Sequence, residues 1–149
     1  MYYYTIPKIF HDGDLKRSKL KTDDVLLTIT GSYGISAVVP KDFGEGNINQ
    51  HVAKMEVDKS KILPEYLEVF LNTTLARRQF DRNQTDGTRP ALDYDTITHL
   101  EVVYPSSLEK QESIAEKVLL KVEDARSKLE EYNTLSNENE QISLREIEA

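Results

Sequence analysis

Several short stretches of this chain carry residue types that could do chemistry. His11-Asp12-Gly13-Asp14 groups an imidazole with two carboxylates, the donors that hold a divalent cation. A calcium loop spreads its acidic ligands over about twelve residues. That spread is absent, and a hydrated loop is the better reading. Asp23 and Asp24 are adjacent, so on a strand they point to opposite faces and make a poor metal pair. Asp93 and Asp95 have a compatible spacing but no third ligand nearby in sequence. Ser32 sits in Gly31-Ser32-Tyr33-Gly34, which is not the Gly-x-Ser-x-Gly of a nucleophile elbow. Asp42-Phe43-Gly44 matches three letters of a kinase motif, without the glycine-rich and catalytic loops that give the match meaning. A glycine-rich cofactor loop and an Asn/Asp-Pro-Pro-Tyr/Phe tetrad are also missing, so binding of S-adenosylmethionine is not expected. With no cysteine, disulfides and thiolate metal sites are excluded. No catalytic residue, metal or cofactor is assigned.

The remaining candidates are groups suited to binding. Lys16, Arg17, Lys19 and Lys21 form one basic cluster; Arg77, Arg78 and Arg82 form another, followed by Asn83, Gln84 and Arg89. Arginine makes bidentate contacts to guanine edges and phosphates, and Asn or Gln pairs with adenine. The bland reading is a solvated charged surface, and the interleaved Asp12, Asp14, Asp81 and Asp86 would repel phosphate. A net charge of −7 argues against a protein that coats DNA without specificity. The charge is uneven: residues 109–149 hold 11 acidic and 6 basic side chains, so −5 of the −7 lies there.

These side chains need elements to position them. Residues 2–10, rich in Tyr, Ile and Phe, suit a strand, and residues 11–24 a loop. The β-branched run 25–30, the 31–34 turn and the return run 35–39 read as a hairpin. Residues 48–57 alternate, with His51, Ala53, Met55 and Val57 on the more apolar face; His51 is read as a packed strand residue. Pro64 suits the first position of a helix. Leu67, Phe70, Leu71, Thr74, Leu75 and Arg78 fall on one helical stripe, although Asn72-Thr73-Thr74 can divide it into two helices. Residues 83–96 read as a loop and 99–104 as a last strand, stopped by Pro105.

The C-terminal segment differs in kind. Ser106 and Glu109 have the spacing of a capping box. Ala115, Val118, Val122, Ala125, Leu129 and Tyr132 then follow alternately three and four residues apart, a heptad seam. Leu135 and Ile142 continue it on a shifted phase. At 1.5 Å per residue such a helix is about 60 Å long, so its apolar stripe needs a partner helix. The chain has no run of about 18 apolar residues that would span a membrane. Its opening residues 1–7 lack the basic-then-apolar order of a secretory leader, so a cytoplasmic location is expected. The fold class is α+β: a small, mostly antiparallel sheet domain over residues 1–105, then a long coiled-coil helix over 106–149.

The motifs in order are Gly31 to Gly34, Val38-Val39-Pro40, Asn49-Gln50-His51-Val52, Leu63-Pro64-Glu65-Tyr66-Leu67 through Leu71-Asn72, Gly87 to Tyr94, Leu100 to Pro105, and Lys110-Gln111-Glu112-Ser113-Ile114-Ala115. The ordered set resembles a target-recognition domain with its following conserved helix, from the specificity subunit of type I restriction–modification systems. The resemblance covers about residues 23 to 116. It departs at Lys110-Gln111, where the family usually has Glu-Gln. It departs also in having only 22 residues before Asp23, which points to a half-subunit or an excised fragment. The resemblance implies a non-catalytic module that reads a half-site on double-stranded DNA and docks a methyltransferase subunit. It also implies pairing of the terminal helix with a second copy or with another specificity-type helix. The competing reading is an adaptor that does not bind DNA and whose coiled coil recruits partners; the net acidity favours it and the ordered motifs disfavour it.

Overall fold

The computed structural model describes residues 18–83 and 90–147, with side chains as far as residue 140. The chain divides into two compact units, Met1–Glu112 and Ser113–Ala149. The expected strand over residues 2–10 lies outside the described residues, as do Lys16, Arg17, Gln84 and Arg89.

The first unit is α+β. Its sheet has three antiparallel strands in the order β2-β1-β3, with β1 at Val25–Thr28, β2 at Ser36–Val38 and β3 at Val52–Met55. Leu27 of β1 sits opposite Ser36 on one side and Ala53 on the other. The period-2 alternation of β1 buries Val25 and Leu27 completely. The turn between β1 and β2 takes positive φ at Gly31 (69°) and Gly34 (84°). It is closed by Gly34 N donating to Thr28 O at 2.8 Å and Thr28 Oγ1 donating to Ser32 O at 2.7 Å. At Gly34 a Cβ would also meet Phe80 Cδ2 at 3.0 Å, so both the backbone and the packing require glycine there.

Two helices cover the sheet. α1 (Pro64–Leu71) starts at its proline and buries Pro64, Leu67, Phe70 and Leu71. The single stripe expected over residues 67–78 does not continue. Thr73 Oγ1 donates to Phe70 O at 2.6 Å and accepts from Ala76 N at 3.4 Å, so the chain breaks and starts again. In α2 (Thr74–Asn83) the buried residues are Ala76 and Phe80, while Thr74, Leu75 and Arg78 face solvent. Val25, Leu27, Tyr33, Leu67, Phe70, Leu71, Phe80 and Leu92 form one core with Ala76. Each large apolar side chain in it contributes roughly 1.5–3 kcal/mol by leaving water.

Beyond α2 the structure corrects two expectations. The expected loop over 83–96 contains a short helix, α3 (Tyr94–Thr98), because the Asp93 carboxylate accepts from Thr96 N at 2.7 Å and caps it. The expected strand over 99–104 joins no ladder among the described residues. Its backbone is met instead by a side chain: Gln79 Nε2 donates to Glu101 O at 3.0 Å and Gln79 Oε1 accepts from Glu101 N at 2.9 Å. Two other amides do the same work. Asn72 bonds both the N–H and the carbonyl of Ser36, each at 3.2 Å. Gln111, fully buried, accepts from Leu63 N at 2.9 Å and donates to Lys61 O at 2.8 Å and Pro105 O at 2.7 Å. Backbone groups that no strand or helix would satisfy thereby find partners.

The last helix, α4 (Leu108–Ile147), starts in the first unit and makes up most of the second. Ser107 Oγ, not Ser106, accepts from Lys110 N at 3.2 Å, so the cap lies one residue later than the capping-box spacing implied. Along the second unit Ala115 is buried, whereas Val118, Val122, Leu129, Tyr132 and Leu135 are exposed, as is Ala125. The apolar seam is therefore real and mostly uncovered. The side chain of Ile142 lies outside the described set.

Candidate nucleic-acid interface

The two basic clusters read from sequence have different structural fates. Lys19 forms an isolated bridge with Asn47, and its carbonyl accepts from Lys54 Nζ at 3.1 Å. Lys21 Nζ pairs with Glu56 at 3.1 Å, and Lys54 Nζ pairs with both Glu56 at 3.3 Å and Asp24 at 3.5 Å. Lys59 pairs with Asp23. Asp24 is nearly inaccessible and also accepts from Lys21 N at 2.7 Å. The hydrogen bonds from Lys21 and then Lys54 hold the Glu56 carboxyl below its usual range. Three lysines thus face three carboxylates at the end of the sheet that holds Val25, Val38 and Met55.

Arg77, at the opposite end, is committed to the fold. Its Nε pairs with Asp81 at 2.9 Å, its Nη1 donates to Tyr33 O at 2.9 Å, and its guanidinium lies 4.4 Å from the centre of the Tyr33 ring. Tyr33 Oη donates to the same Asp81 at 2.9 Å. Burial, and then the Asp81 carboxylate, push the Tyr33 hydroxyl above its ordinary value. Arg78 and Arg82 are four residues apart on the exposed side of α2, and neither has a carboxylate partner among the described residues. Asn83 follows, with its Nδ2 donating to Gln79 O at 3.1 Å. The structure thus separates Arg77 from Arg78 and Arg82, which sequence alone groups together.

The paired carboxylates also have structural roles. Asp93 caps α3, and the backbone and hydroxyl of Thr96 hold its carboxyl below the usual range. Asp95 pairs with His99 at 3.3 Å, one turn further on. Among the described residues no group of three His, Cys, Asp or Glu side chains gathers to hold a metal, and no helix is long and apolar enough to cross a membrane.

His51 corrects the sequence reading. It is exposed in the turn before β3 rather than packed in the strand. Its Nδ1 lies 2.6 Å from Thr30 Oγ1, and its Nε2 lies 3.2 Å from Gln50 Nε2. Strand periodicity misplaced it because β3 starts one residue later, at Val52. The only sequence signal for a turn there was the polar run Asn47 to Gln50, interrupted by Ile48.

A small antiparallel sheet with short helices, followed by a long helix, is the α+β architecture expected from the sequence. The family model for the type I restriction modification DNA specificity domain matches residues 3–139, and the chain belongs to that family. It is 29% identical over 113 residues to the specificity subunit of the type I restriction enzyme EcoBI of Escherichia coli, an alignment that covers 74% of this chain. The alignment spans 23% of that relative's length.

Proposed function

We propose that this chain reads one half of a split site on double-stranded DNA and docks a methyltransferase subunit over it, catalysing nothing itself. The family match over residues 3–139 carries this reading. The exposed arginines of α2 support it. Arg78 and Arg82, with Asn83, form the centre of the proposed contact surface, and Gln84 and Arg89 extend it along the chain. Lys16, Arg17 and Lys19 are secondary contacts, and Lys21 leaves the contact list because Glu56 already holds its charge. Arg77 leaves the contact list because Tyr33 and Asp81 occupy it.

Residues 1–105 form the reading domain in this account, and residues 106–149 the pairing helix. The uncovered seam from Val118 to Tyr132 supports pairing with a second copy or with another specificity-type helix. Two identical reading domains related by a twofold axis would recognise a palindromic site. Sedimentation across concentration should show association that Leu129→Glu abolishes.

The decisive experiment combines the full chain, duplex DNA and labelled S-adenosylmethionine, with and without a cognate methyltransferase subunit. Methyl incorporation at discrete adenines in the joint sample alone is the expected result. Turnover by this chain alone would show that it is an enzyme. Incorporation that is the same with and without the chain would remove its role in recognition.

A further inference from the structure

The seam of α4 is bordered by charge of one sign. With Ala115, Val122 and Leu129 at heptad position a, and Val118, Ala125 and Tyr132 at d, the bordering positions are g and e. Position g holds Lys121, Lys128 and Leu135, and position e holds Leu119, Arg126 and Asn133. Every charged side chain among these is a cation. The acids of the same stretch, Glu116, Glu123, Asp124, Glu130 and Glu131, all fall at b and c, on the outer side of the helix. Lys117 is the one cation of residues 115–135 on that outer side. Lys128 Nζ meets Asp124 at 2.7 Å and Arg126 Nη1 meets Glu123 at 4.0 Å, but both pairs are well exposed. Exposed pairs of this kind are weak, so a carboxylate arriving across the seam can replace them. Lys121 has no carboxylate partner among the described residues.

Self-pairing sets these cations against one another. In a parallel pair, g of one helix faces the next e of the other, so Lys121 meets Arg126 of a second copy, twice by symmetry. In an antiparallel pair, g faces g. The register that sets Val122 against Ala125 and Val118 against Leu129 then sets Lys121 against Lys128, again twice. Salt at about 0.15 M screens charges beyond roughly 8 Å, so these close contacts outweigh the acids of the outer side. The seam still needs a cover, because Val118, Val122, Leu129 and Tyr132 are exposed. The cover that suits both its apolar stripe and its borders is a helix with Asp or Glu at e and g.

We propose that the seam of α4 takes a helix of a different chain, with carboxylates bordering its own apolar seam, in preference to a second copy of itself. The inference rests on the pairing reading above and narrows it; self-association is then the weaker mode. The probe is the full chain with its borders reversed, Lys121→Glu, Arg126→Glu, Lys128→Glu, fluorescently labelled and mixed with the wild-type chain. Sedimentation at about 0.15 M salt reads the association, and circular dichroism checks that the variant keeps its helix. The mixed pair should be roughly tenfold tighter than the wild-type self-pair, because two contacts change from like to opposite charge. Ser127→Glu, Thr134→Glu adds acid at the outer f positions and should gain nothing when mixed with the wild type. Neutral borders, Lys121→Gln, Arg126→Gln, Lys128→Gln, should make self-association tighter than in the wild type. That variant decides the question if the reversed chain loses its helix. A wild-type self-pair as tight as the mixed pair, or a neutral variant that associates no more tightly than the wild type, overturns the inference and leaves pairing through the seam in place. If Leu129→Glu changes none of these associations, the pairing reading itself fails, while recognition of DNA still rests on the methylation experiment.

Discussion

The two ends of the sheet use similar residues to opposite effect. At one end Lys21, Lys54 and Lys59 meet Glu56, Asp24 and Asp23, and the charges cancel. At the other, Arg77 is locked onto Tyr33 and Asp81, while Arg78 and Arg82 stay exposed on α2. Basic residues are therefore not equivalent evidence for a phosphate surface. What counts is whether a carboxylate already holds the charge. By that criterion the lysine end stabilises the unit, and the arginine end is available to a polyanion.

The comparison breaks most sharply at Lys54. Its ammonium is the cation beside the buried Asp24 carboxylate. Lys54→Ala should destabilise the first unit by about 3 kcal/mol, the low end for a stranded buried charge, as read by urea unfolding. The Asp24 carboxylate keeps its bond from Lys21 N, which sets the loss at that low end. Affinity for DNA, corrected for the folded fraction, should not change.

Arg77→Ala comes next. It removes an ion pair about half exposed on both partners, a hydrogen bond to a carbonyl and a contact with the Tyr33 ring. Solvent screening reduces the sum to about 1 kcal/mol. Thermal unfolding should detect that loss with no change in DNA affinity. Arg78→Ala and Arg82→Ala should each move stability by less than about 0.5 kcal/mol, as surface substitutions do. A larger loss in either would mean that the fold uses that arginine after all.

The smallest effect is in pH dependence. The carboxyls of Glu56 and Asp93 are held below their ordinary values in the folded chain. Their stabilising contribution is fully present above the ordinary carboxylate values, 4.5 and 3.8, and is lost as pH falls through the lowered folded ones. Acid titration should therefore show a slightly steeper fall in stability in the wild type than in a Glu56→Gln, Asp93→Asn variant, with the difference between the two closing as pH falls through the lowered values.

Local signals made much of this legible before the structure. Val25 and Leu27 alternate into the core, Gly31 and Gly34 mark the turn, Pro64 opens α1, and the seam from Ala115 to Tyr132 marks the long helix. The five residues of α3 are too few for a periodic pattern, and its signal was the Asp93 cap alone. Residues 99–104 read as a strand because they are β-branched and aromatic. Whether such a run joins a ladder depends on partners distant in sequence, and here Gln79 takes that place. The same limit applied to the candidate interface. Composition located both basic clusters, but the bond from Lys21 to Glu56 spans 35 positions, and that from Arg77 to Tyr33 spans 44. Periodicity cannot show which charges are already neutralised.

The contrast between the two ends is tested most directly by the salt dependence of DNA binding. Each phosphate contact contributes about 0.9 to the slope of log affinity against log salt. The measurement compares the wild-type chain, Lys21→Ala and the double variant Arg78→Ala, Arg82→Ala on one duplex. The double variant should lower the slope by about 2, whereas Lys21→Ala should leave it within error of the wild type. A slope that Lys21→Ala reduces, and that the double variant leaves unchanged, would contradict the assignment of the two ends.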